Sequence, residues 1–329
     1  MGQKSKTHIV KRILGNQYAP VSRYVRTIYV LLFPISYGKF VFKKIVNRRL
    51  NLRDPKDFFE KIQWLKIYSD TSLWTPLADK YKVRDYVTHC GLEHILVRLY
   101  GVWERAEDID FSGLPDKFVL KTNHGFGKVI LVEDKSKLDI GKTRFYLNQW
   151  LAEKYGLLSF EPHYLNIERR IIAEEILQDK SIADISVSVV DYKFHCLNGE
   201  PDIILAMYNR QNMINGSDSE KEKSEIKACA FDTDWNPRPD VMTDRFCHDQ
   251  PERIPRPSHL DEMKRICRIL SKPFAIVRVD LYEVNGKVYF GELTFTPGGG
   301  MGFFTADQYL RMGNKVDLSK IKKRRHLFT

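Results

Sequence analysis

The chain of 329 residues predicts an α+β fold preceded by a basic, mainly helical extension, and three observations carry that expectation. Residues 274–300 read as two apolar runs joined at Asn285-Gly286, a strong short-range hairpin signal. Elsewhere strand-like runs are interspersed with amphipathic helical stretches, of which 54–70 and 260–271 are the clearest. The first 53 residues hold twelve Lys or Arg and no Asp or Glu. A chain of this length can bury a large core and is expected to form two or three subdomains.

The hairpin carries chemistry. Arg278 and Asp280 lie on its first run, Glu292 and Thr294 on its second, and each pair is two residues apart. Side chains two apart in a strand share a face. Whether the two pairs share one face depends on the turn. A two-residue Asn-Gly turn sets Asp280 opposite Gly291, with Glu292 pointing away. A three-residue turn, Val284-Asn285-Gly286 with Gly286 as a left-handed bulge, brings all four together. Two carboxylates so placed suit Mg²⁺, a hard ion that completes its octahedron with phosphate oxygens and water. The nearby arginine could neutralise a phosphoryl group in transfer. The plainer alternative is a half-exposed hairpin whose Arg-Asp and Glu-Lys pairs solvate one face.

The formal charge of +11 is unevenly spread, since residues 1–53 alone carry +12 and the remainder sums to −1. A second basic cluster, Lys320 to Arg325, lies near the other end. An anionic membrane surface or nucleic acid could meet such an arm. No recognised nucleic-acid module is visible, so no specific nucleic acid is expected. The apolar run Ile28–Ser36 is nine residues long and interrupted by Pro34, far short of the roughly 20 that span a bilayer. Without a small-residue cleavage site, it is not expected to be a signal peptide. With its basic flanks, Ile28, Leu31, Leu32, Phe33, Phe40 and Phe42 read as an interfacial anchor, or alternatively as side chains packed on the core. The five cysteines are scattered and form no CxxC pair, which argues against a disulfide framework or zinc knuckle and for a cytoplasmic location.

In chain order, 54–70 is expected to be a helix capped by Asp54 with Pro55 at its first position. Residues 77–87 read as another helix, with Asp79, Lys80, Lys82 and Arg84 near its start. A strand is expected around 95–103. Residues 118–132 read as a strand ending in Lys121, a loop holding Gly125 and Gly127, and a second strand from Val129. Such glycines let backbone N–H groups approach phosphate oxygens, though the spacing is not that of a Walker A loop and an ordinary hairpin is the plainer reading. After a helical stretch at 138–155, residues 169–177 read as a short strand ending in Glu174 and Glu175. Asp191, Lys193 and His195 form the polar face of a strand that turns at Asn198-Gly199 and returns over 203–207. The polar stretch 209–227 is a lid candidate.

Several of these pieces occur together in an order that resembles the ATP-grasp superfamily, in which two α+β subdomains clamp ATP. The closer resemblance is to the teichuronopeptide-biosynthesis-like (TupA-like) ATP-grasp family of surface-polysaccharide gene clusters. The matching segments are EKIQWLK, ADKYKVRDYV, FVLKTNHGFG, RIIAEEIL, DYKFHCLNGEP and VRVDLYEVNGKVYFGELTFTPGGG, spread over roughly residues 50–305. The resemblance implies an N-terminal subdomain (54–115), a small ATP-grasp subdomain with the Gly loop (116–177) and a large subdomain with the metal site (178–310); they are flanked by the basic amphipathic arm (1–53), which the ATP-grasp core does not explain, and a basic tail (311–329). It further implies that Lys80 and Lys121 contact ATP phosphates beneath the Gly125–Gly127 loop. Glu174, Glu175 and the Ile176-Leu177 backbone would meet adenine, and Asp191 the ribose. Asp280, Glu292 and Thr294 would hold Mg²⁺, Arg278 would steady the transferred phosphate, and Lys193 is the second catalytic candidate. Many ATP-grasp ligases carry Asn where this chain has Thr294, which weakens the third ligand.

The implied reaction is ATP-dependent joining of a carboxylate to an amine through an acyl phosphate. In a polysaccharide setting the acid would be a uronic or amino acid, and the amine an amino acid or amino alcohol. With a lipid-linked acceptor, the arm would hold the enzyme at the inner face of the cytoplasmic membrane. Three rivals remain: a glycosyltransferase using Asp232-Thr-Asp234 as a DxD metal motif, a kinase that stops at phosphoryl transfer, and a non-catalytic basic scaffold. On the ligase reading, Asp232–Asn236 is a turn between strands.

Overall fold

The computed structural model describes residues 26–30, 32–182, 186, 188–209, 226–243, 251–300 and 304–324. The lid candidate 209–227 falls outside them except at its ends, as do Leu31 and residues 1–25 of the arm. Two antiparallel sheets organise the described chain. The smaller holds β1 (Leu99–Trp103), β2 (Phe118–Thr122), β3 (Val129–Val132) and β4 (Ile171–Glu174) in the order β1-β4-β2-β3. The larger holds β5 (Asp191–Leu197), β6 (Glu200–Tyr208), β7 (Lys227–Phe231), β8 (Ile276–Val284) and β9 (Lys287–Thr294) in the order β7-β6-β5-β8-β9. Helices and antiparallel sheets together make the expected α+β class, and the smaller sheet draws β1 from the segment before residue 116.

Helix α5 (Ile140–Ala152) covers the smaller sheet, with Leu147 and Trp150 meeting Phe118, Leu120, Ile130 and Ala173. Helix α6 (Leu260–Ser271) buries Leu260, Met263, Ile266, Cys267 and Leu270 in the main core with the larger sheet. This is the 3.6-residue spacing of a one-faced helix. Every residue of β5 is buried, its charged ones included. A buried charged side chain requires partners, so β5 already marks where the chemistry lies.

Two helix starts differ from expectation. Helix α2 (Phe58–Tyr68) begins three residues late because Asp57, not Asp54, is the cap. The Asp57 carboxylate accepts the Glu60 amide at 3.0 Å, while Glu60 reaches back to the Lys56 amide at 2.9 Å. This reciprocal arrangement, close to a capping box, satisfies donors that Asp54 could not. The expected helix over 77–87 is broken into α3 (Trp74–Ala78) and α4 (Val83–His89). At the break, Asp79 turns extended and accepts the Tyr81 amide at 2.8 Å, in competition with helix continuation.

Helix α7 (Ala306–Lys315) crosses α2 at Gly313. A Cβ there would lie 2.3 Å from the Lys56 carbonyl oxygen and 2.5 Å from Asp57 Cα, both backbone atoms. Gly313→Ala is therefore expected to lower stability by about 2–3 kcal/mol in urea denaturation. An unchanged midpoint would mean that the two helices are free to separate.

Candidate active site

The β8–β9 hairpin closes through a two-residue turn, since Val284 pairs with Lys287 and both Asn285 (φ 52°) and Gly286 (φ 71°) are left-handed. Of the two turns considered, the two-residue one forms because Asn-Gly satisfies both left-handed positions at low cost. Parity is restored further along the ladder. Leu281 pairs with Phe290 but Asp280 pairs with Glu292, so Gly291 is an inserted residue. A Cβ on Gly291 would sit 3.0 Å from the Asp280 carbonyl oxygen and 2.9 Å from the Tyr282 ring, which explains the glycine. The bulge turns Glu292 and Thr294 onto the face of Asp280 and Arg278. Across the other edge of β8, Lys193 pairs with Asp280 and His195 with Arg278.

These strands assemble a buried charged cluster. Arg278 donates through Nε to Asp280 Oδ1 at 2.6 Å and through Nη2 to Asp280 Oδ2 and Glu292 Oε1, each at 2.7 Å. Lys193 Nζ donates to Asp280 and lies 2.6 Å from Asp191 Oδ2. Thr294 donates its hydroxyl to Glu292 Oε1 at 3.1 Å. Asp191, Lys193, Asp280 and Arg278 are buried, whereas the Glu292 side chain keeps 32% of its exposure and opens the cluster to solvent. Burial works against the Arg278 charge, but Asp280 and Glu292 outweigh it and its pKa rises. His195 is held neutral, its pKa lowered to about 3 by burial and then by Arg278.

The two candidate lysines belong to other segments. Lys80 donates through Nζ to the Gly125 carbonyl at 2.7 Å, and Lys121 at the end of β2 meets Glu174 Oε2 at 2.5 Å. Burial lowers the Lys80 pKa, with Glu292 opposing the shift and Lys121 adding to it. Gly125 (φ 82°) and Gly127 (φ 73°) are left-handed, as a loop folding its backbone inward requires.

Glu174 stands between Lys121 and Arg84, the latter 3.6 Å away, so its carboxylate is engaged inside the fold. Glu175 is exposed and its amide donates to Arg98 O at 2.9 Å; beyond it, Ile176 and Leu177 leave the sheet half-buried. Asp191 lies in the carboxylate cluster through Lys193. His124 in the Gly loop is neutral, its pKa lowered to about 4 by burial and by Arg169 and Lys80.

Sequence reasoning missed Asn123. It is fully buried, donates to Asp79 Oδ1 and Glu168 O at 2.8 Å each, and accepts the Arg170 amide at 2.8 Å. Its own carbonyl accepts the Lys80 amide at 3.0 Å. One side chain thus ties the Lys80 turn, the Gly loop and the start of β4 together. The only local signal was an amide side chain between a strand and a glycine loop.

Among the described residues, no three His, Cys, Asp or Glu side chains gather as a ready metal cage. The cluster nevertheless fits Mg²⁺. Arg278 Nη2 shows that one point lies within 2.7 Å of both Asp280 and Glu292, and the carboxylates of Asp191, Asp280 and Glu292 stand there with Arg278 and Lys193. Two carboxylates and a hydroxyl are hard donors, and phosphate oxygens and water would supply the rest. Asp232 has no comparable surroundings. It accepts the Asp234 and Asn236 amides at 2.9 and 2.8 Å, so it closes a turn between β7 and Pro237.

Among solved structures, the chain is similar to D-alanine–D-alanine ligase from Bacillus anthracis, at 14% identity and a TM-score of 0.41, over 73% of this chain and 65% of that one. The corresponding figures for D-alanine–D-alanine ligase from Helicobacter pylori are 13% and 0.43, over 80% and 70%. For an L-amino acid ligase from Bacillus licheniformis they are 14% and 0.40, over 69% and 43%. The chain thus spans between 43% and 70% of the length of these structures. Comparison with curated protein sequences returns no match. The family model described as TupA-like ATP-grasp matches residues 60–316, a span that takes in every strand of both sheets, and the chain accordingly belongs to the TupA-like ATP-grasp family.

Proposed function

We propose that this protein is an ATP-dependent carboxylate–amine ligase. The observation that carries the reading is the convergence, across the Gly291 bulge, of Asp280, Glu292 and Arg278 on one face. Lysines that would bind anions occur together with a carboxylate pair that would bind a cation, which is the charge pattern a triphosphate with its counterion requires.

In the proposed reaction a substrate carboxylate oxygen bonds to the γ-phosphorus of ATP while the bridging P–O bond breaks and ADP leaves. The amine nitrogen then bonds to the acyl carbon, the C–O bond to phosphate breaks, and the nitrogen gives up its proton to solvent. Bound Mg²⁺ would neutralise phosphate charge, held by Asp280 and Glu292 with Thr294 as a weaker neighbour. Lys80 and Lys121 bind the phosphates, and the Gly125–Gly127 loop closes over them with its backbone amides. The exposed Glu175 and the Ile176-Leu177 backbone receive the nucleoside. Arg278 balances charge on the transferred group. Lys193, oriented by Asp191, holds Asp280 in place, so the geometry favours a positioning role for Asp191 over contact with ribose. The acid is a uronic or amino acid and the amine an amino acid or amino alcohol, in surface-polysaccharide assembly at the cytoplasmic side. Because Asp232 is consumed by a turn, the glycosyltransferase reading loses its metal motif.

The test is ADP release from Mg²⁺-ATP across a panel of uronic and amino acids, with and without amines. ADP that requires one acid–amine pair and yields an amide is the expected result. ADP formed with an acid alone, giving a stable phosphorylated product, would identify a kinase instead. Failure to bind ATP would overturn the reading.

A further inference from the structure

The N-terminal extension meets the fold through one apolar face and presents a second to solvent. Helix α1 (Pro34–Val46) follows residues 26–30, which are also helical. Val30, Tyr37, Gly38 and Phe42 are buried, so Phe42 belongs to the core and not to the surface strip expected from sequence. Tyr37 donates its hydroxyl to Leu158 O at 2.8 Å, and a Cβ on Gly38 would lie 2.6 Å from the Phe160 ring. Arg48 fixes the far end by ion pairs to Asp57 and Glu60. The helix is therefore docked in one orientation.

Its outer face is apolar as well. Leu32 is 66% exposed, Phe40 57% and Phe33 55%, with Tyr29 and Ile28 beside them. The Tyr29 and Phe33 rings are 5.6 Å apart. Lys39, Lys43 and Lys44 are exposed along the same helix and make no ion pair among the described residues. The other basic stretch is bound nearby. Arg324 donates its amide to Tyr68 O at 2.8 Å, Lys323 bridges Ser69, and Tyr68 packs on the cluster containing Tyr37.

We propose that the outer face of residues 28–45 lies on an anionic phospholipid surface, with Leu32, Phe33 and Phe40 inserted below the headgroups and Lys39, Lys43 and Lys44 among the lipid phosphates. An exposed row of large apolar side chains signals an interaction site, and aromatic residues with basic flanks and no acid suit the plane of a bilayer interface. No helix of the described residues is long and apolar enough to cross a membrane, so the contact is one of lying on the surface. A second copy is the poorer occupant, because two arms of +12 would repel. The surface is independent of the ligase chemistry and would place that chemistry beside a lipid-borne substrate.

The experiment is co-sedimentation of the full chain with vesicles of phosphatidylcholine alone and of phosphatidylcholine mixed with phosphatidylglycerol. Binding to the mixed vesicles alone, weakening as salt is raised, is expected. The variant Leu32→Ser/Phe33→Ser/Phe40→Ser should bind about a hundredfold more weakly, roughly fivefold for each partly inserted side chain. Lys39→Glu/Lys43→Glu/Lys44→Glu should abolish binding. All six positions face solvent, so unchanged thermal melting is expected to accompany both losses. No binding to mixed vesicles, or equal binding by the apolar variant, would overturn the proposal. So would a vesicle-free dimer that the apolar variant dissolves, which would make the strip an interface between copies. Ligation of a soluble acid–amine pair should be untouched by either variant, so failure here is distinguishable from failure of the ligase reading.

Discussion

Asp280→Ala is expected to remove ADP release almost entirely and to destabilise the fold by about 3 kcal/mol, because one carboxylate serves two buried cations. With it gone, Arg278 keeps Glu292 and Lys193 keeps Asp191, but three charge-assisted hydrogen bonds are lost in a site with little water. Glu292→Ala should separate the two effects. Its side chain is partly solvated, and Arg278 retains its bidentate bond to Asp280, so the stability cost is expected to be about 1 kcal/mol or less. Loss of activity should still be severe, on the order of a thousandfold, if both carboxylates share one cation. Urea denaturation and ADP release on the same two preparations decide the matter. Near-normal turnover in the Glu292 variant would remove the metal role from this pair.

Asn123→Ala is expected to cost about 2–4 kcal/mol and to raise the KM for ATP about tenfold while leaving kcat less affected. The substitution leaves the Arg170 amide and the Glu168 carbonyl, both partly buried, without their partner and frees the buried Asp79 carboxylate. Asp79 and the Asn123 backbone together position Lys80, whose ammonium group reaches the Gly loop. Losing that latch should loosen phosphate binding before it touches the chemistry. Lower stability with an unchanged KM would make Asn123 a structural tie only.

The comparison of these two sites explains what could be read in advance. Asp280 and Glu292 were visible because charged residues recurring every second position in apolar strands are anomalous, and strand periodicity alone places each on the face of Arg278 or Thr294. Lys80, Lys121 and the two glycines were visible for a similar reason, as charge beside conformational freedom. Asn123 was not. Its four partners come from two segments distant in the chain, 79–80 and 168–170, and nothing in its neighbours' identities reveals them. Nor could the sequence decide which of two adjacent acids would be engaged in the fold. Glu174 is turned inward by the β4 pleat to meet Lys121, and Glu175 outward.

By itself, then, the sequence determined the α+β class, the hairpin at Asn285-Gly286, the amphipathic face of α6 and the segregation of charge into the first 53 residues. Each follows from local rules, the backbone preference of a residue or the period at which side chains return to one side. The tertiary structure alone decided that parity is restored at Gly291 and not at the turn, that Asp57 and not Asp54 starts α2, that Phe42 is core while Phe40 is surface, and that Lys193 belongs to Asp280. Those outcomes depend on which strand lies alongside and which helix crosses above. Register, burial and ion pairing are settled by packing between residues far apart in the chain, where local periodicity is silent.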